Sequence, residues 1–132
     1  MKLGAFFVGL AVAASGNAAV ERSLALDVRF GERETHFRLV TEGAGGKLLL
    51  EERGKKVAER ALEADDVDYL MEKASALAGQ KAEARRCSRK RATLVVHDAA
   101  GERKLRICLG GTGDAAAEAR ALADLVATLV VR

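Results

Sequence analysis

The chain has 132 residues, with 22 Lys or Arg against 19 Asp or Glu and a formal net charge of +3. That balance is too even to support a global attraction to nucleic acid, and the length suits one domain with a single modest core. Trp and Pro are absent and Tyr occurs once, so Leu, Val, Ala and the phenylalanines must fill that core.

The first stretch, MKLGAFFVGLAVAASGNAA, has the order of a Sec signal peptide. Lys2 supplies a one-charge n-region, Leu3 to Ala14 is uncharged and mostly apolar, and Ser15, Gly16 and Asn17 precede Ala18 and Ala19. Gly16 and Ala18 meet the small-residue requirement before a cleavage site, which places the cut after residue 18, with residue 19 as the second choice. The apolar run of about a dozen residues is too short to cross a bilayer, which takes about 20. No cysteine follows it, which argues against a lipoprotein. Residues 1–18 are thus expected to be a leader and 19–132 a single small domain, exported to a periplasm or secreted, with no stable membrane insertion. Loss of Lys2 takes the 22 basic residues to 21 against 19 acidic ones, a net charge of about +2.

Leu24, Leu26, Val28 and Phe30 alternate with Ala25, Asp27 and Arg29, and Phe37 and Leu39 alternate with His36 and Arg38. This spacing predicts two antiparallel strands joined by a turn over Gly31 to Glu34. Gly43, Gly45 and Gly46 mark a break. Lys47 to Glu52 and Lys55 to Leu62 form a second pair turning at Arg53 and Gly54, although Val57 to Leu62 could also begin a helix. Val67, Leu70, Met71, Ala74, Leu77 and Ala78 then recur at helical spacing. A helix follows from about Asp66 to Ala78, capped by Asp65 or Asp66 and stopped by a left-handed Gly79.

Cys87 to Cys108 brackets a hairpin. A three-residue loop, Ala99 to Gly101 with Gly101 left-handed, pairs Asp98 with Glu102, Val95 with Leu105 and Thr93 with Ile107. In that register Ala92 sits opposite Cys108, Lys104 and Arg106 share a face with Leu94 and Val96, and Arg103 shares the other with His97. A glycine-rich connector leads to a last helix from Asp114 to about Val130. Leu122, Val126, Leu129 and Val130 form its stripe, and Arg120 and Asp124 an outward pair. The order is ββββαββα. Helices apolar on one stripe must cover a sheet apolar on one face, so the expected class is α+β, an antiparallel sheet backed by two helices. From Lys47 onward, the order ββαββα is similar in outline to that of the emfourins, small bacterial inhibitors of thermolysin-like proteases. Their N-terminal Gly-Gly-Phe signature is not found here, and no functional residue is carried over.

In an oxidising compartment the only two cysteines have one intramolecular pairing, so a Cys87–Cys108 disulfide is expected to staple the hairpin. Closing a loop of about 20 residues contributes roughly 3 kcal/mol in the chain-entropy model. Five residues of extended chain span about 16 Å, whereas bridged Cα atoms lie about 4.4–6.8 Å apart. The segment Cys87 to Arg91 must therefore fold back or bulge over the hairpin end, unless the register differs; folding back would clamp Arg86, Arg89 and Lys90 close to Lys104 and Arg106, and with Arg85 and Arg91 these make seven cations. Those seven cations are the candidate binding residues. The acidic residues from Glu59 to Glu72 and the basic ones from Lys81 to Arg91 are expected to lie near each other and partly neutralise.

Other patterns carry less. Gly111 to Ala116 matches G-x-G-x-x-A, but a dinucleotide fold needs a parallel strand after the helix that follows, so the reading is a connector with Asp114 as N-cap. No cofactor or metal is expected. Asp65, Asp66 and Asp68 suit a helix start better than acid/base work or a cation. His97 next to Asp98 is not a triad by adjacency, His36 points to a wet face, and no catalytic residue is assigned. The expected function is a small exported, non-enzymatic module that binds another protein with an acidic surface and resembles an inhibitor. The alternatives are a binder of anionic glycan or lipid headgroups through residues 85–106 and, third, an enzyme using His97.

Overall fold

The computed structural model describes residues 22–80, 90–111 and 113–131. The expected leader lies outside them, as do Arg85, Arg86, Cys87 and Arg89. Strands β1 (Ser23–Phe30), β2 (Arg33–Glu42), β3 (Gly45–Glu52) and β4 (Lys55–Leu62) precede helix α1 (Ala64–Ala78). Strands β5 (Lys90–Asp98) and β6 (Gly101–Cys108) and helix α2 (Asp114–Val131) follow. All strand pairs are antiparallel, and the spatial order is β4-β3-β2-β1-β5-β6. The class is α+β with an antiparallel sheet, and the region from Val57 to Leu62 is strand, not helix.

The period-2 pattern decides which sheet face is covered. Leu24 and Leu26 of β1, Phe37 and Leu39 of β2, Leu48 and Leu50 of β3, and Leu94 and Val96 of β5 are buried on one face. Val67, Leu70, Met71, Ala74 and Leu77 of α1 and Ala116, Ala119, Leu122, Val126 and Val130 of α2 complete the core. At Gly46 α1 packs directly over the sheet. A Cβ there would stand 2.7 Å from the Val40 carbonyl oxygen and 3.3 Å from Val67 Cγ2 on α1. The β3–β4 turn holds Arg53 at φ 55° and Gly54 at φ 76°, the two left-handed residues that a type I′ hairpin turn requires.

Several ends differ from expectation. Helix α1 starts at Ala64 with Glu63 as N-cap and no side-chain cap hydrogen bond, so Asp65 and Asp66 lie inside the first turn and act only on the macrodipole. Gly79 is right-handed (φ −81°, ψ −7°). Its N–H reaches the Ser75 carbonyl, while the Gln80 N–H closes a tighter turn on Leu77 at 3.0 Å, which satisfies the last carbonyls without a left-handed residue. On α2 the Ala117 N–H bonds the Gly113 carbonyl, so Gly113 takes the cap position and Asp114 is the first helical residue. Arg120 does not pair outward with Asp124. Its Nη1 donates to the carbonyls of Leu109 at 2.6 Å and Gly111 at 2.9 Å, tying α2 to the end of β6.

The last hairpin corrects the expected register by one residue. Asp98 pairs with Gly101, Val95 with Lys104, Leu94 with Leu105, Ala92 with Ile107 and Arg91 with Cys108. The loop is two residues, Ala99 and Ala100, and the Asp98 carboxylate fixes it by accepting the Ala100 N–H at 2.9 Å. Gly101 keeps the expected positive φ (103°).

Candidate functional site

One residue of register changes which side chains share a surface, because successive strand residues point to opposite faces. Leu105 and Ile107 turn toward the helices. Lys104 and Arg106 therefore lie on the opposite, open face with Arg91, not with Leu94 and Val96. His97 also lies on that open face, and Arg103 on the helix side. The cations still fall on both sides of the ribbon, as expected, but are grouped differently: Arg91, Lys104 and Arg106 are exposed together on the open face, while Lys90 and Arg103 lie on the helix side.

The open face divides by charge pairing. Across β4, β3 and β2, Lys47 contacts Glu42 at 3.9 Å and Glu59 at 3.7 Å, Lys56 contacts Glu59 at 2.7 Å, and Arg38 contacts Glu51 at 3.6 Å. The Lys56 hydrogen bond and charge, assisted by Lys47, hold the Glu59 carboxyl below the usual range. Across β1, β5 and β6 the picture differs. Asp27, Thr93 and Arg106 form one cross-strand row, and Arg29, Arg91 and Cys108 the next. Arg29 reaches Glu34 at 3.4 Å, but among the described residues no ion pair joins Arg91, Lys104 or Arg106 to a carboxylate. Lys90, the remaining described candidate, lies over the exposed Phe30 ring, 5.8 Å from its centroid.

A shallow groove of about 460 Å³ runs between these rows, lined by Asp27, Arg29, Glu34, His36, Arg91, Thr93 and Arg106 among others. His36 Nδ1 stands 2.5 Å from Asp27 Oδ1, and its Nε2 is 3.5 Å from Glu34 Oε1. The two ring nitrogens thus face carboxylates on opposite sides. Sequence reasoning did not find this dyad, because it joins neighbouring strands β1 and β2 through the Asp27–His36 register pair. A general base needs a nucleophile at its second nitrogen, and here that nitrogen faces Glu34. No family model matches the chain, and no curated protein or solved structure is significantly similar to it.

The other singled-out residues fall elsewhere. Asp98 and His97, adjacent in sequence, project to opposite faces, and Asp98 engages Arg103 at 2.6 Å and Ser75 at 3.1 Å. The backbone N–H of Ala100 first, then Ser75 and Arg103, hold the Asp98 carboxyl below its ordinary range. Asp68 is paired with Arg22 at 2.9 Å. For Glu59 and Asp68, then, the described partners are Lys47, Lys56 and Arg22, whereas 81–89 of the basic block lies outside the described residues. Among the described residues no group of His, Cys, Asp and Glu could hold a metal ion, and no helix is long and apolar enough to cross a membrane.

Proposed function

We propose that the chain is an exported, non-enzymatic binding module that presents the β1–β5–β6 half of its open sheet face to an acidic surface on another protein. The observation that supports it is the one-sided placement of Arg91, Lys104 and Arg106, exposed and without a carboxylate partner among the described residues. Cations already paired have little left to offer a partner, whereas unpaired ones steer association and fix orientation. An anionic glycan or lipid headgroup is the second reading. It is disfavoured by Asp27, Glu34 and Glu102 on the same face, which would repel a uniform polyanion but can be matched by a protein surface of mixed sign.

The Cys87–Cys108 staple belongs to this reading. Cys108 is opposite Arg91, four residues after Cys87, so the intervening chain must double back to bring the Cα atoms within about 7 Å. Such a bridge would set the remaining candidate cations, Arg85, Arg86 and Arg89, beside the same face. Intact-mass analysis of native, unreduced protein tests both leader and staple. The expected mass lacks residues 1–18 and two hydrogens, and neither thiol alkylates; a retained Met1 with two alkylatable thiols overturns export and staple together.

The binding claim is tested by affinity capture from the native envelope or secreted fraction, using the wild-type protein and the triple variant R91S/K104S/R106S. A partner retained by the wild type, lost by the variant, and weakened between about 0.1 M and 1 M salt is expected, because screening shortens from about 10 Å to 3 Å over that range. Equal retention by both proteins would remove the face from the interaction. Retention of glycan or lipid with no protein would reverse the ranking.

A further inference from the structure

The two edges of the sheet are not alike. At β4 the pairing with β3 shifts register between Leu50 and Glu51, and Lys55 and Lys56 stand at the strand start. A bulge discourages strand addition by bending the edge out of register; edge cations occur at both edges, so the bulge is what distinguishes them. Strand β6 carries an unbroken eight-residue register with β5 and no bulge.

The hydrogen-bond parity of that edge can be read from one bond. The Leu109 N–H donates to the Lys90 carbonyl at 3.0 Å, one step beyond the Arg91–Cys108 pair. Bonded and non-bonded pairs alternate in an antiparallel ladder, so Ile107, Leu105 and Arg103 bond inward to Ala92, Leu94 and Val96. Glu102, Lys104 and Arg106 therefore turn their N–H and C=O groups outward. Among the described residues no hydrogen bond reaches any of those six groups.

We infer that the β6 edge is a strand-addition site for an extended segment of a partner protein in which acidic and apolar residues alternate. The backbone parity supplies the ladder and the side chains supply the choice of occupant. Lys104 and Arg106, two residues apart, project on the open face. An added antiparallel strand would set carboxylates directly opposite them, with Cβ atoms about 4.5–5.5 Å away, and a cation opposite Glu102. Its intervening residues would fall on the helix side, opposite the buried Leu105 and the half-buried Arg103, whose guanidinium is already engaged by Asp98, and are therefore apolar. The complementary core is thus acid-apolar-acid-apolar-base. A second copy of this chain fits less well: pairing β6 with itself about Lys104 opposes Glu102 to Arg106 but sets Lys104 against Lys104. The inference rests on the reading of the β6 cations as a protein-binding surface and adds the mode and the partner's pattern.

The test uses the purified protein and three capped peptides: one with the core Glu-Val-Glu-Val-Lys, one identical but N-methylated at both Glu amides, and one of the same composition with acids and valines in blocks. Binding is followed by NMR titration and amide exchange. The alternating peptide is expected to bind, to slow exchange at the Lys104 and Arg106 amides at least tenfold, and to bind at least tenfold tighter than either control. The variant K104P should keep its circular dichroism spectrum, because the lost N–H points away from β5, and should lose the peptide. Equal binding of the N-methylated peptide would overturn strand addition while leaving the charged-face reading intact. Failure of all peptides, with capture still abolished in the triple variant, would do the same. Capture unaffected by the triple variant would sink the underlying reading. Dimerisation of the free protein abolished by K104P would assign the edge to a second copy and also overturn the inference.

Discussion

Asp98 and Arg103 meet across the tip of the last hairpin on the helix side of the sheet, Oδ2 to Nη2 at 2.6 Å, with the Ser75 hydroxyl of α1 bonded to both. This joins β5, β6 and the last turns of α1 through one partly buried carboxylate.

Because the Asp98 carboxyl is held low in the folded state, first by the Ala100 N–H, its contribution is present above the unfolded carboxyl range and is lost as pH falls through the folded value. D98N should therefore be less stable than wild type at neutral pH by about 1–3 kcal/mol, since it leaves the Arg103 guanidinium without its charge partner. The gap should close on acidification. Urea melts of both proteins from neutral pH to about pH 2 check it; a gap constant with pH would mean that the charge contributes nothing.

Gly46→Ala inserts a methyl group where the Val40 carbonyl is only 2.7 Å from the Cβ position. Because that neighbour is backbone, the strands or α1 must shift, and the expected loss is about 1–3 kcal/mol. Thermal unfolding measures it, and a variant as stable as wild type would show that β2 and β3 can part locally at Val40 and Gly46.

Arg53 holds φ 55° with a full side chain, a conformation that disfavours most L-residues by about 1–2 kcal/mol and Asn by less. Arg53→Asn should raise the urea midpoint by an amount equivalent to about 0.5–1 kcal/mol. The exposed position makes lost packing small, so a lowered midpoint would refute the type I′ assignment.

Arg120→Met keeps the stem but removes both hydrogen bonds to the Leu109 and Gly111 carbonyls. Loss of such charge-assisted bonds costs about 1.5–3 kcal/mol. Hydrogen exchange should speed at the Gly111 amide and the start of α2 before it changes in β2, and uniform acceleration would instead mark Arg120 as part of the global core.

Much of this fold could be read from the chain alone, because alternation and helical spacing each report a buried face directly. Every strand and both helices fall where those periods place them. The hairpin register could not be read from its loop, since a positive φ at Gly101 suits a three-residue turn as well as the two-residue one that Asp98 stabilises. Its face pattern held a better signal. Leu105 and Ile107 share a side, and so do Leu94 and Val96, yet Val95 next to Val96 made both parities look apolar. Matching Leu94 to Leu105 is the choice that turns Lys104 and Arg106 away from the helices, leaving only Arg103 and, at the start of β5, Lys90 on that side. The Asp27–His36 dyad was beyond reach for a different cause: it depends on which residues of two strands lie opposite, which single-strand periodicity does not contain.

The seam between β1 and β5 has a kinetic consequence. Ser23 lies opposite both Val40 and His97, so β1 can zip with its sequence neighbour at once but must wait for most of the chain before its other side is filled. Loop closure over that span is slow relative to turn formation. The first four strands can therefore assemble as a meander with Leu24 and Leu26 bordering an unfilled lane. Any chaperone that holds this chain while it folds has its natural purchase in that interval.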